Sequence, residues 1–174
     1  MRYQNQWGEC VMKKYVLTET KKEWFGITLY QIKAVRSFGN VKEGDLGGWI
    51  EKEENLDHDG NAWVSDNALV SGDAHVYGNA QVYDHAQVYG NAWVSDNARV
   101  SDNAQVCGNA RVSDYARVSD YARVSGKAWV YDNALVSGDA WVYGNAHVFG
   151  NAQVFGNARV SGDARVSDNA RVYG

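Results

Sequence analysis

The chain has no proline and only two cysteines, Cys10 and Cys107, among its 174 residues. A chain free of proline can commit nearly all of its backbone amides to hydrogen-bonded ladders. Two cysteines so far apart give no disulfide framework. A Cys10–Cys107 bridge is not expected, and a reduced, cytoplasmic setting is the natural expectation. No apolar run approaches 18 residues, and no signal-peptide pattern opens the chain, so a spanning helix is not expected. Strong charge of one sign is also lacking. Lys and Arg number 17 against 21 Asp and Glu, a net charge of −4, which gives no global attraction to nucleic acid or to an anionic membrane.

What the chain has in excess is repetition. From Val64 to Val172 every sixth residue is valine, nineteen in succession, and two residues before each stands an alanine, from Ala62 to Ala170. The unit reads Gly/Asp, Asn/Asp, Ala, any residue, Val, then Ser, Tyr, Phe or Cys. A short fixed period marks a solenoid of stacked strands. Residues two apart on an extended strand share a face, so Ala62 and Val64 point one way and Trp63 the other. Valine's branched side chain packs well on a pleated strand. The Gly/Asp-Asn/Asp pair tolerates the positive φ of a sharp corner. Each hexapeptide is therefore one short strand and one corner, with alanine and valine inside and the variable residue outside. A narrow triangular coil closes after three hexapeptides. The corner glycines Gly72, Gly90, Gly108, Gly126, Gly144 and Gly162 recur at that 18-residue interval. Stacked at ~4.8 Å per coil, the repeats give a parallel rod of roughly 30 Å in about six coils.

The stretch Val-Tyr-Gly-Asn-Ala-Gln at 76–81 resembles the hexapeptide motif of left-handed β-helix proteins. The resemblance implies an all-β, single-stranded, left-handed parallel β-helix, and the hand comes from the resemblance alone. The family includes acyltransferases that use acyl-CoA, and carbonic anhydrases. Residues 38–57, with TLYQIKAV before them and NLDHDGNAWV overlapping their end, resemble the start of bacterial and phage hexapeptide proteins named as transferases. That name follows fold rather than chemistry, and a phage origin is implied only by this likeness.

Three regions are expected: a leader at 1–11, a β-rich cap at 12–57 and the β-helix at 58–174. Within the cap, residues 15–18 read as a strand, 19–23 as a polar turn and 25–35 as a longer strand. This hairpin is expected to pack over the first coil, because a bare solenoid end exposes apolar core and unpaired strand edges. Residues 51–54 read as a solvated acidic run. His58 stands where the repeat would want valine, so the register is expected to begin at Asn61.

The outward residues fall into three columns, one per face. The third holds His75, Trp93, Arg111, Trp129, His147 and Arg165, flanked by Tyr77, Tyr131 and Phe149. Members of a column lie one coil apart, which sets Arg111 between Trp93 and Trp129. A guanidinium over an indole gains about 0.5–2 kcal/mol. His75, Tyr77, Trp93, Arg111, Trp129, Tyr131 and His147 are the candidate binding residues, for a protein partner or a second copy. A self-satisfied ladder that only stiffens the rod is the alternative, and stacking on sugar rings or bases a further one. At one corner Asp66, Asp84, Asp102 and Asp120 stack one coil apart, and like charges so placed repel. Solvent, nearby arginines between Arg99 and Arg123, or a cation must relieve this. The four are weak metal candidates, and no metal is assigned because the nine-residue calcium-roll pattern is absent. The residues Arg171, Val172 and Tyr173 of the last repeat are expected to form an open edge that pairs with another copy, giving a homo-oligomer through that coil or through a flat face.

Equipment for catalysis is sparse. The acyltransferases of the resembled family typically add an extruded loop and a histidine facing a neighbouring subunit. Here no insertion interrupts the repeats, so no pocket wall is expected. His75 and His147 lie four coils apart, His85 occupies a corner, and no three histidines converge as a zinc site requires. All three threonines, Thr18, Thr20 and Thr28, precede the repeats, which excludes a threonine row for ice binding. Eleven Asp interleave with seven Arg and one Lys in the repeats, which disfavours nucleic acid. The expected function is a non-enzymatic scaffold or binding protein without a cofactor. An acyl-CoA-dependent acyltransferase is the alternative that the resemblance implies.

Overall fold

The computed structural model describes residues 2–4 and 10–174, with side chains from Met12 onward. Two strands flank the leader, β1 (Arg2–Gln4) and β2 (Cys10–Met12), and pair antiparallel. The rest of the leader, residues 1 and 5–9, lies outside the described residues.

The repeats form the expected solenoid. Short parallel strands stack on three sides, and each residue pairs with those 18 before and after it, as Trp93 does with His75 and Arg111. The first face runs from Trp63–Val64 to Arg171–Tyr173, the second from Leu69–Val70 to Arg159–Val160, and the third from His75–Val76 to Arg165–Val166. The repeat alanines and valines from Ala62 to Val160 are all buried. A fully buried valine gains about 1.5–3 kcal/mol, and here that gain recurs with every hexapeptide.

The corners explain the Gly/Asp alternation. The residue two places after each valine, from Gly60 to Asp168, takes φ between 56° and 73°. Glycine enters this left-handed region without strain, and aspartate does so more readily than most residues. Aspartate adds a bond that glycine lacks. The Asp66 carboxylate accepts the Asp84 N–H at 3.4 Å and the Ser65 hydroxyl at 3.0 Å. The Asp120 carboxylate accepts the Gly138 N–H at 2.9 Å.

The cap consists of β3 (Tyr15–Trp24), β4 (Ile27–Ala34) and β5 (Leu46–Ile50). Strand β4 pairs antiparallel with both β3 and β5, and β5 pairs parallel with Leu69–Val70. The cap thus extends the second face into a nine-stranded sheet and closes the first coil's open edge. Trp49 pairs with Leu69 and Leu56 bridges Val76, a step of 20 residues instead of 18. Residues 46–58 therefore make one irregular turn above the repeats, and the solenoid amounts to about seven turns.

Three cap expectations need correction. Residues 19–23 are strand and not turn: β3 continues through them with an irregularity between Leu17 and Lys21. The reversal falls on Phe25 and Gly26, at φ 47° and 79°, because glycine supplies the left-handed conformation that the polar run could not. Residues 51–54 are not all solvated, since Glu53 is tied into the cap. The ladder also begins before Asn61, and His58 occupies the valine slot at 5% exposure. Its polar ring is tolerated there because it is hydrogen-bonded on both sides: Nδ1 accepts the Lys14 N–H at 3.3 Å, and Nε2 lies 2.8 Å from Glu53. The far end of the hairpin folds over the outside of the second face. Lys22 sits 4.4 Å over Trp49, and Trp24 meets Tyr89 edge-on at 5.8 Å. Outward residues near the cap are consequently buried, Trp63 and Leu69 among them. Among the described residues no helix is long and apolar enough to cross a membrane.

Candidate functional site

The third face places its candidates in two groups. In the first, the Arg111 guanidinium lies 5.0 Å over the Trp93 ring, Tyr77 meets Trp93 edge-on at 6.1 Å, and His75 packs against Tyr77 at 5.1 Å. In the second, Trp129 packs on Tyr131 at 4.6 Å and against His147 at 5.8 Å, and Tyr131 stacks on Phe149 at 5.0 Å with the rings parallel to within 1°. Arg165 covers Phe149 at 5.2 Å. The expected sandwich of Arg111 between two indoles is one-sided: Arg111 takes Trp93, and Trp129 turns to Tyr131.

The repeat explains that difference. An outward tryptophan can donate its indole N–H to a serine 16 residues earlier: Trp129 to Ser113 at 3.3 Å and Trp141 to Ser125 at 3.2 Å. For Trp93 the corresponding residue is Tyr77, which offers a ring edge instead. Trp93 is left 41% exposed. Arg111 and Arg165 are exposed and make no ion pair among the described residues, so their charge faces outward.

The top of this face opens into a cleft of about 670 Å³ lined by Lys52, Glu53, Glu54, Leu56, Asp57, His58, Asp73, Ala74, His75 and Trp93. The irregular turn of the cap supplies one wall and the first coils the other. The solenoid has no insertion, as expected, but the expectation of no pocket wall is overturned, because the cap builds one. Glu53 anchors the network behind the wall, bonded to Lys13 and to His58. Burial works against its charge, yet the bonds from Lys13 and His58 prevail and hold its carboxyl below the usual range. Burial pushes His58 down, against the pull of Glu53, and with Nδ1 accepting the Lys14 N–H the neutral ring's proton sits on Nε2. Tyr15 stacks on that ring at 4.3 Å and donates its hydroxyl to the Leu56 carbonyl at 2.7 Å. His58 is thus committed to holding the cap. His75 differs. Burial pushes it down as well, with Asp57 acting in opposition, and its ring nitrogens have no hydrogen bond to another described residue. A neutral imidazole is left at the cleft to accept a proton or a hydrogen bond.

The remaining candidates are dispersed. Asp66, Asp84, Asp102 and Asp120 stack as expected, and backbone amides of the next coil answer their charge. Among the described residues no three His, Cys, Asp or Glu side chains converge on a metal position. Cys107 is a free thiol on the second face, and the Cys10 side chain lies outside the described residues. In the last coil Tyr173 stacks on Phe155 at 5.7 Å, and the Arg171 Nε–H donates to Gln153 at 3.0 Å. Val172 is half-buried, and Tyr173, Ala164 and Ala170 are exposed. The cleft residues Lys52, Glu54, Asp57 and Asp73 were not singled out from sequence. The signal was a histidine in a valine slot beside an acidic run, which together mark a turn with polar partners.

A family model described as "YdcK Beta solenoid repeat" matches residues 62–78, 80–95, 86–102, 92–106, 104–120, 128–144, 152–166 and 164–174, together more than half of the chain. The chain is also similar to a protein of Escherichia coli (strain K12) named "Uncharacterized acetyltransferase YdcK", at 35% identity over 63 residues. That similarity covers 32% of this chain and 19% of the relative, so the chain spans only a small part of the relative's length.

Proposed function

Because the chain belongs to the YdcK β-solenoid repeat family, whose inward residues are committed to the core, we propose that it is a non-enzymatic binding protein whose third face docks a partner protein. The observation that carries this reading is the pair of unpaired guanidinium groups held on aromatic rings, Arg111 on Trp93 and Arg165 on Phe149. Trp, Tyr and Arg are the residue types that dominate binding hot spots. Cations without counter-charges favour an acidic partner surface. The test is affinity capture from lysate of the producing cell, beside a Trp93→Ser, Trp129→Ser variant whose fold is verified by circular dichroism. A protein retained by the wild type and lost by the variant supports the reading, and equal retention by both defeats it. Self-association through the last coil belongs to the same proposal. It rests on exposed Ala164 and Ala170 beside half-buried Val172, and light scattering of wild type against Val172→Lys tests it.

A second reading rests on His75 and on the relative's name. Here the chain transfers an acetyl group from acetyl-CoA. His75 removes a proton from the acceptor as it attacks the thioester carbonyl, and CoA leaves as the thiol. Release of free CoA thiol that depends on an acceptor and disappears in His75→Asn would favour this reading over the first.

A further inference from the structure

We infer that the cleft between the cap and the top of the third face binds a primary ammonium group carried on a short apolar arm. This goes beyond the docking face, because the cleft's chemistry is opposite in sign to the stripe below it. Its volume of about 670 Å³ falls within the ~300–1,000 Å³ of small-molecule sites.

Most of its charges are already answered. Lys52 is paired with Asp73 at 2.7 Å, and Glu53 is bonded to Lys13 and His58. Glu54 and Asp57 are not: neither makes an ion pair among the described residues. Lys14 lies behind Asp57 within electrostatic reach, but its ammonium is buried and donates to the Asp59 carbonyl at 3.3 Å. Two carboxylates therefore face the cleft with unspent charge. Between them and the third face the floor is apolar, formed by buried Leu56 and Ala74. The Trp93 indole borders the cleft and is already used to hold a cation, Arg111, at 5.0 Å. His75 adds an acceptor without an internal partner. Carboxylates at one end, an indole wall, an imidazole acceptor and an apolar floor suit an alkylammonium. An anion would meet Glu54 and Asp57, and a neutral alcohol would leave them unanswered.

Two sources carry this chemistry, a free alkylamine and a lysine side chain of a docked protein. The full chain, labelled at its tryptophan indole nitrogens, would be titrated with cadaverine and with Nα-acetyl-lysine N-methylamide while the Trp93 resonance is followed. 1-Pentanol and pentanoate serve as neutral and anionic controls. We expect saturable shifts with an amine, and a Glu54→Gln, Asp57→Asn variant that weakens binding about tenfold while keeping its circular dichroism spectrum. Equal binding of the lysine derivative assigns a protein side chain, and binding of cadaverine alone assigns a free amine. Either upholds the site. Absence of a saturable shift with both amines, binding by pentanoate at equal strength, or unchanged affinity in the folded double variant overturns it. Trp129→Ser separates this inference from the docking face. It lies outside the cleft, so amine binding persists in it even where partner capture is lost, and either conclusion can fail alone.

Discussion

The inward side chains of the repeats from Ala62 to Val160 are alanine or valine throughout, and none can ionise. The cap buries Lys14, Asn55 and His58 beside Tyr15, Ile32 and Leu56. Both regions exclude water, but by different means. The solenoid repeats one small solution, so any one coil is interchangeable with the next. The cap uses each residue once, so every buried polar group needs its own partner: Asn55 donates to the Gly72 and Ala74 carbonyls, and Tyr15 to that of Leu56. The solenoid is therefore sensitive to whatever violates spacing or polarity, and the cap to pH and to loss of single partners.

The largest effect should come from placing a charge where the solenoid has none. Val112→Asp buries an unpaired carboxylate in a valine-alanine interior and should cost about 4 kcal/mol or more, abolishing the cooperative melt seen by circular dichroism. A comparable loss confined to the cap would contradict the contrast.

The next effect should have the opposite sign. Burial pushes Lys14 down to about 8 from 10.5, despite the attraction of Asp57. Below pH 8 the folded and unfolded chains both carry the proton, and folding bears the full penalty, about 3 kcal/mol. Between pH 8 and 10.5 the folded chain releases the proton first, so cap stability should rise with pH. Lys14→Met should stabilise the cap at pH 7 and flatten that rise, read from hydrogen exchange of β3 and β4 amides while third-face amides stay unchanged.

A smaller effect compares two glycines of like backbone. Gly126 (φ 69°) sits in a stacked corner, where an added Cβ would lie 3.0 Å from the Gly144 backbone. Gly26 (φ 79°) turns the cap hairpin with nothing within 4 Å. Gly26→Ala should cost about 1 kcal/mol from conformation alone, and Gly126→Ala about 2 kcal/mol. Gly126→Asp should recover part of the latter by accepting the next coil's N–H, as Asp120 does. Equal melting losses for the two alanine variants would show that stacking adds nothing.

The smallest effect is expected in acid. His58 and Glu53 both have folded pKa values below their unfolded ones, so their contribution is present at neutral pH and is lost as pH falls. Below about pH 6.5 the cap should exchange faster while the solenoid holds, and His58→Gln should blunt that change.

The solenoid was legible in the sequence because its rules are local. Valine at every sixth residue gives the strand, Gly or Asp two places later gives the corner, and the 18-residue glycine column gives the coil. The third-face columns were legible for the same reason, and Trp93, Arg111 and Trp129 lie where the period puts them. Their orientation was not, because it depends on whether Ser113 or Tyr77 waits 16 residues earlier. The cap was only partly legible. The Phe25-Gly26 turn was hidden behind a more polar stretch. The cleft depends on Leu56 meeting Val76 across a 20-residue step that no period announces. His58 looked like a flaw in the repeat and is the ring on which the cap is fastened.

The 18-residue step also makes the third face a graduated scale. Trp93 and Trp129 stand two coils apart, about 9.6 Å at the strand spacing, and nothing inside the rod depends on which coil lies between them. Removing residues 100–117 would delete one coil with Arg111, keep every valine over a valine, and bring the two tryptophans to adjacent marks. The distance between anchor points can thus be set in steps of about 4.8 Å without altering the interior. A lineage gaining or losing single coils would retune what this surface measures while leaving its foldability intact.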